Sequence, residues 1–111
     1  MRLDRNSTPE KRGKYALIHL RKLDQFVPAE QATELVAALK VLEDAGLVEF
    51  GETGAVDEFF VIKLRDENAR AALNAYVECV HEQGEDEEYA ADVFELAERS
   101  GPAHPQCKKP D

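Results

Sequence analysis

Between Asp66 and Gly101 the apolar residues recur every three or four positions, and that spacing limits what this chain can become more than any other feature. Ala69, Leu73, Tyr76, Val77 and Val80 fall on one side of a helical wheel, and Tyr89, Ala90, Val93, Phe94 and Ala97 on one side of another. Gly84 separates the two runs and suits a helix end. Asp66 and Asp86 precede them, each able to accept hydrogen bonds from first-turn N–H groups. The pattern predicts one helix closing at Gly84 and a second running from Asp86 to Ser100 and Gly101.

A third helix is predicted upstream. Pro28 fits a first turn, Glu30 and Glu34 favour the positive N-terminal end, and Leu35, Leu39 and Leu42 lie at i, i+4 and i+7 before Gly46 stops the run. The segments LVEF at 47–50 and EFFVIKLR at 58–65, separated by GETGAVD, read as a β-hairpin with a loose loop. Phe60, Ile62 and Leu64 would then face the helices, and Phe59, Val61, Lys63 and Arg65 the opposite side. KYALIHLRKL, from Lys14, reads two ways: Tyr15, Leu17, His19 and Arg21 alternate with Ala16, Ile18 and Leu20 as in a strand, while Ala16, Leu20, Leu23 and Val27 fit helical spacing. Tyr15 and Ile18 suit a sheet, so the strand is favoured. The fold class expected is α+β, a small antiparallel sheet of the hairpin plus an N-terminal strand, packed with three helices. Residues 1–13 read as a flexible arm, 14–101 as a single domain and 102–111 as a Pro-rich tail.

At 111 residues the chain can bury a core without cross-links. No apolar run reaches the roughly 18 to 20 residues a membrane span needs, and MRLDRNSTPEKRGK lacks the apolar stretch of a signal peptide. A cytoplasmic protein with no membrane partner is expected. Cys79 and Cys107 are too few for a disulfide framework, which favours reduced thiols.

The formal charge of −9 is unevenly placed. Residues 1–65 carry 10 basic and 11 acidic side chains, whereas residues 66–111 carry 4 and 12. Glu78, Glu82, Glu85, Asp86, Glu87, Glu88, Asp92, Glu95 and Glu98 occupy a stretch with no Lys or Arg. Carboxylates arrayed on two helices can imitate nucleic-acid phosphates and enter a basic groove of another protein. Glu82, Glu85, Asp86, Glu88, Asp92 and Glu95 are the candidate partner-binding residues. The same charge would also serve solubility alone.

Signatures of catalysis are missing: there is no phosphate-cradling glycine loop, HExxH, GxSxG or CxxC. Ser7 and Ser100 lie near segments too mobile to preorganise a nucleophile. A non-enzymatic protein without cofactor or metal is expected. Cys79, His81, His104 and Cys107 form a ligand set chemically suited to zinc. Cys79 and His81, however, diverge by about 200° around a helix axis, so they cannot chelate one ion unless the helix frays. Cys79 as a small packed hydrophobe is the plainer reading, and a Cys79–Cys107 bridge is limited by a reducing compartment.

Single-stranded nucleic-acid binding is the alternative. If residues 14–23 form a strand, one sheet face presents Tyr15, Arg21, Phe59, Lys63 and Arg65, with His19, a mixture that stacks bases and neutralises phosphates. If Phe59 and Val61 stay uncovered, that face would favour a homodimer. TELVAALKVLEDAGLVEF followed by EFFVIKL resembles the last helix and β-hairpin wing of winged-helix domains over residues 33–65. The resemblance implies a regulatory protein. Glu34, Glu43 and Asp44 against a single Lys40 would repel phosphates, and too few residues separate Leu23 from Glu34 for a second helix and turn, so such a shape would serve protein contacts.

RGKYALIHLRKL, DEFFVIKLRDENARAAL and HPQCKKPD together resemble small proteins encoded by bacteriophages and prophages. That resemblance implies a host-cytoplasmic protein that binds a host or viral partner, including as an inhibitor of a defence nuclease or another nucleic-acid-binding protein. The function expected is therefore an acidic protein-binding module, a nucleic-acid mimic or inhibitor acting on a basic surface.

Overall fold

The computed structural model describes residues 1–26, 28–84 and 86–110. Among the described residues five α-helices occur in order: α1 (Asp4–Ser7), α2 (Leu20–Phe26), α3 (Ala29–Asp44), α4 (Ala69–Glu82) and α5 (Glu87–Glu98), followed by a 3₁₀ turn at Gly101–Ala103. Among the described residues there is no β-strand, and the one β-type pairing is an isolated parallel bridge between Asp66 and Lys108. The α+β expectation is therefore overturned: the described fold is helical, with neither an antiparallel sheet nor a wing after α3.

The reasons are local. LVEF is four residues long, and its loop to the second segment is not one of the two-residue turns that set hairpin register. A lone two-stranded hairpin is marginal in water even with a good turn. The loop instead forms successive turns of its own, with the Ala55 N–H donating to Glu52 O at 3.0 Å and the Glu58 N–H to Ala55 O at 3.1 Å. In KYALIHLRKL the helical spacing prevails over the alternation from Leu20 onward, where α2 forms and contacts α3. Val27, which that spacing included, lies outside the described residues.

The chain divides into two compact units, Met1–Ala16 with Val61–Asp111, and Leu17–Phe60. In the first, α4 and α5 pack along their apolar stripes. Ala69, Val77 and Val80 of α4 and Ala90, Val93, Leu96 and Ala97 of α5 are buried. Leu73 and Tyr89 are half-buried at the margin, and Tyr76 and Phe94 are largely exposed. Tyr76 and Tyr89 meet edge to face with their hydroxyls 2.9 Å apart, an aromatic pair that keeps its polar ends in water. Small and medium side chains make up this core.

Polar groups fix the ends of the pair. Asp86 is the N-cap of α5 and accepts from the Glu88 N–H at 2.8 Å and the Tyr89 N–H at 3.4 Å. Asp66 accepts from the Asn68 N–H at 2.8 Å, one step before α4 begins. At the other end of α5, Arg70 reaches across from α4. Its Nε donates to Ala97 O at 3.2 Å and its Nη2 to Glu98 O at 2.7 Å, satisfying carbonyls that the helix leaves open. The Ser100 hydroxyl, fully buried, donates to Ala97 O at 2.8 Å.

The chain then turns back. Gly101 has φ +59° and its N–H donates to Leu64 O at 2.8 Å. The Lys108 N–H donates to Arg65 O and the Glu67 N–H to Lys108 O, both at 2.9 Å, so the tail lies along residues 64–67.

In the second unit α3 ends in a Schellman motif, with the Gly46 N–H donating to Glu43 O and the Leu47 N–H to Leu42 O, both at 2.9 Å. Lys40 pairs with Asp44 at 2.9 Å. Every residue of α3 keeps at least partial exposure, including Leu35, Leu39 and Leu42 of its apolar stripe.

Two substitutions test this division of stability. Leu96, 7% exposed, should cost about 2–5 kcal/mol when changed to Ala, and Leu35, 39% exposed, clearly less, as read by urea midpoints. Gly101→Ala should cost about 1–2 kcal/mol or more, because an L-residue is strained at this φ and its Cβ would stand 3.2 Å from Arg70 Cβ and 3.3 Å from Glu67 O. An unchanged midpoint for Gly101→Ala would mean that the return of the tail does not contribute to stability.

Candidate protein-binding surface

The acidic stretch lies on α4, α5 and the turn between them. Along α5, Glu88, Asp92 and Glu95 stand at i, i+4 and i+7 and share a face. Glu88 and Glu95 are exposed, as is Glu82 at the end of α4. Glu85 lies outside the described residues. Asp86 and Asp92 are engaged within the molecule.

Asp92 is only 5% exposed. Its Oδ2 accepts from the Leu3 N–H at 2.9 Å, and the Arg2 guanidinium donates through Nε and Nη2 to the two carboxylate oxygens at 3.4 Å each. The Leu3 N–H holds this carboxyl below its ordinary value, aided by Arg2 and Asn6 and opposed by desolvation. The Met1 ammonium pairs with Asp86 and lies 3.6 Å from Glu88. This ammonium, foremost, and the Tyr89 and Glu88 N–H groups keep Asp86 below its ordinary value as well, against desolvation. The N-terminal residues therefore lie against the acidic helix. The basic character of Arg2 and Arg5, so far in sequence from α5, is the one signal that could have suggested this contact.

The remaining candidates fall in both compact units. Tyr15, Lys63 and Arg65 belong to the first unit and Arg21 and Phe59 to the second, and the sheet face that would have joined them does not form. Tyr15 and Phe59 are exposed, as is Val61, while Lys63 and Arg65 are half-buried. Cys79 and Cys107 are both free and exposed, so Cys79 sits on the surface of α4 rather than in the core. Among the described residues no group of three or more His, Cys, Asp or Glu side chains is arranged to hold a metal ion, the set Cys79, His81, His104 and Cys107 included.

A shallow depression in the second unit is lined by Glu43, Val48, Glu49, Phe50, Gly51, Glu52, Ala55 and Asp57. Its mouth is open and its carboxylates are solvated, so it lacks the desolvation that a catalytic acid requires. No helix among the described residues is long and apolar enough to cross a membrane. No family model, curated protein or solved structure matches the chain.

The depressed aspartates define a pH response. A carboxyl whose folded value lies below the ordinary aspartate value of about 3.9 stabilises the fold above that pH, and the contribution is lost as the pH falls through the lower folded value. Thermal unfolding followed by circular dichroism between about pH 7 and pH 2 should show wild type more stable than Asp92→Asn at neutrality, with the gap closing in acid. Parallel curves for the two proteins would show that Asp92 has no favoured ionised state in the fold.

Proposed function

We propose that this chain is a non-enzymatic protein-binding module whose acidic helices engage a basic surface on another protein, as a nucleic acid would. One observation carries the reading. Glu78, Glu82, Glu87, Glu88, Glu95 and Glu98 are all exposed on α4 and α5, in a stretch without a single Lys or Arg. Because the two helices are packed against each other, the carboxylates are presented on a scaffold rather than on a floppy acidic tail, and less order has to be gained on binding. Such a field steers a basic partner from a distance and repels nucleic acid itself.

The partner class that fits is a protein with a groove evolved for phosphates, a nucleic-acid-binding protein or a nuclease. The resemblance to bacteriophage proteins supports adding host defence nucleases to that class, with the encounter in the cytoplasm of the host. Glu82, Glu88 and Glu95 are the outward contacts. Asp86 and Asp92 shape the same face while bonded within the molecule.

Charge reversal tests the proposal. Immobilised wild-type protein should retain basic proteins from a bacterial lysate at about 0.05 M salt and release them by about 0.5 M, where screening reaches a few ångströms. Duplex DNA should compete for the captured proteins. The Glu82→Lys, Glu88→Lys, Glu95→Lys variant, with its helicity confirmed by circular dichroism, should retain none of them. Equal capture by the two proteins at every salt concentration would sink the acidic-surface reading.

A further inference from the structure

The N-terminal residues occupy the face on which the proposed function depends. Arg2 stands against Asp92, and Glu88 and Glu95 lie about one turn to either side of that carboxylate on α5. These groups, Asp92 foremost, favour the charged guanidinium. The Leu3 N–H completes the contact with Asp92, and the Met1 ammonium takes up Asp86. A cationic segment thus runs along an acidic helix that has no Lys or Arg of its own, the arrangement expected of a basic partner.

The charged side chain of the arm is held loosely. The Arg2 side chain is 51% exposed, and its two bonds of 3.4 Å are longer than a well-formed charge-assisted pair. Helix α1 buries none of its residues. Contacts at a chain end, made by a side chain half in solvent, belong to the part of a fold that opens most easily. A single ion pair with one partner half in solvent is also weak, so a ligand bringing several cations at once has the advantage.

The geometry points to an autoinhibitory contact: Met1–Leu3 covers the α5 acidic face in cis, where a basic segment of the partner docks, and the partner must displace it. This rests on the protein-binding reading and adds to it a ligand class, an Arg-rich segment, and a regulatory step.

The test uses a fluorescein-labelled octa-arginine peptide, the full-length chain and fluorescence anisotropy. Arg2→Ala should bind the peptide about two- to fivefold more tightly than wild type, the range that loss of one weak, half-exposed ion pair supports. Lys109→Ala, which makes the same change in net charge in the tail next to Lys108, on residues 65–67 rather than on Asp92, should leave the affinity nearly at the wild-type value. In the wild-type protein the Leu3 amide, followed by ¹H–¹⁵N NMR, should shift and exchange faster with solvent as the peptide is added. Equal tightening in Arg2→Ala and Lys109→Ala would overturn the autoinhibitory contact and leave the acidic binding surface standing. Peptide binding to wild type with an unmoved Leu3 amide would do the same. Failure of the peptide to bind any of the three proteins would overturn both readings.

Discussion

The packing of α4 on α5 is the contact on which the rest of the described first unit depends. Its core consists of small and medium side chains, with Ala69, Val77 and Val80 facing Ala90, Val93, Leu96 and Ala97. A fully buried Val or Leu contributes about 1.5–3 kcal/mol and an Ala much less, so this interface has little to spare. It is correspondingly closed by polar devices at its ends. Arg70 ties the C-terminal carbonyls of α5 to α4, the buried Ser100 hydroxyl bonds back to Ala97, and Gly101 turns the chain onto Leu64. Each of these acts at a helix end, where backbone groups would otherwise lack partners.

An acidic helix in a small core carries a second cost, the mutual repulsion of its own carboxylates. The N-terminal residues reduce it by bringing the Arg2 guanidinium and the Met1 ammonium to Asp92 and Asp86. The contact is local: Glu78, Glu82, Glu87, Glu95 and Glu98 remain exposed to solvent. The same arm therefore offsets repulsion within the fold and stands in the way of an external cation. Stability and regulation draw on one set of side chains here.

The legible part of this fold was the part with uninterrupted helical period. Ala69, Val77, Val80, Ala90, Val93 and Ala97 are buried where the 3.6-residue spacing placed them, and Asp86 caps the helix it precedes. Phe94 and Tyr76 belong to the same stripes yet are largely exposed, because a ring at the edge of a narrow two-helix interface extends past the partner helix. The strand readings failed for a different reason. Tyr15, Ile18, Phe59, Phe60, Val61 and Ile62 have high β propensity, but propensity records packing on a sheet and forms none without a third strand and a turn that sets register. The contact between Arg2 and Asp92 spans ninety positions and leaves no periodic trace, so only the opposite charges of the two segments hinted at it. Of the candidate site, the acidic surface was legible as composition and the occupancy of its centre was not.

Within residues 78–98 the carboxylates divide by side-chain length. The two aspartates, Asp86 and Asp92, bond to backbone N–H groups, while the six glutamates among the described residues are all exposed, Glu88 with the Met1 ammonium nearby. The shorter side chain places its oxygens beside a neighbouring backbone with little loss of rotamer freedom, which is why Asp favours caps and local backbone contacts. Glu carries its charge further from the helix and keeps its conformational entropy in water. A surface that is to meet a basic partner gains from the second property, and a fold with a thin core gains from the first. Exchanging the two residue types would keep the net charge of the stretch while removing the α5 cap and the anchor of the arm, so in this molecule the kind of carboxylate matters as much as the count.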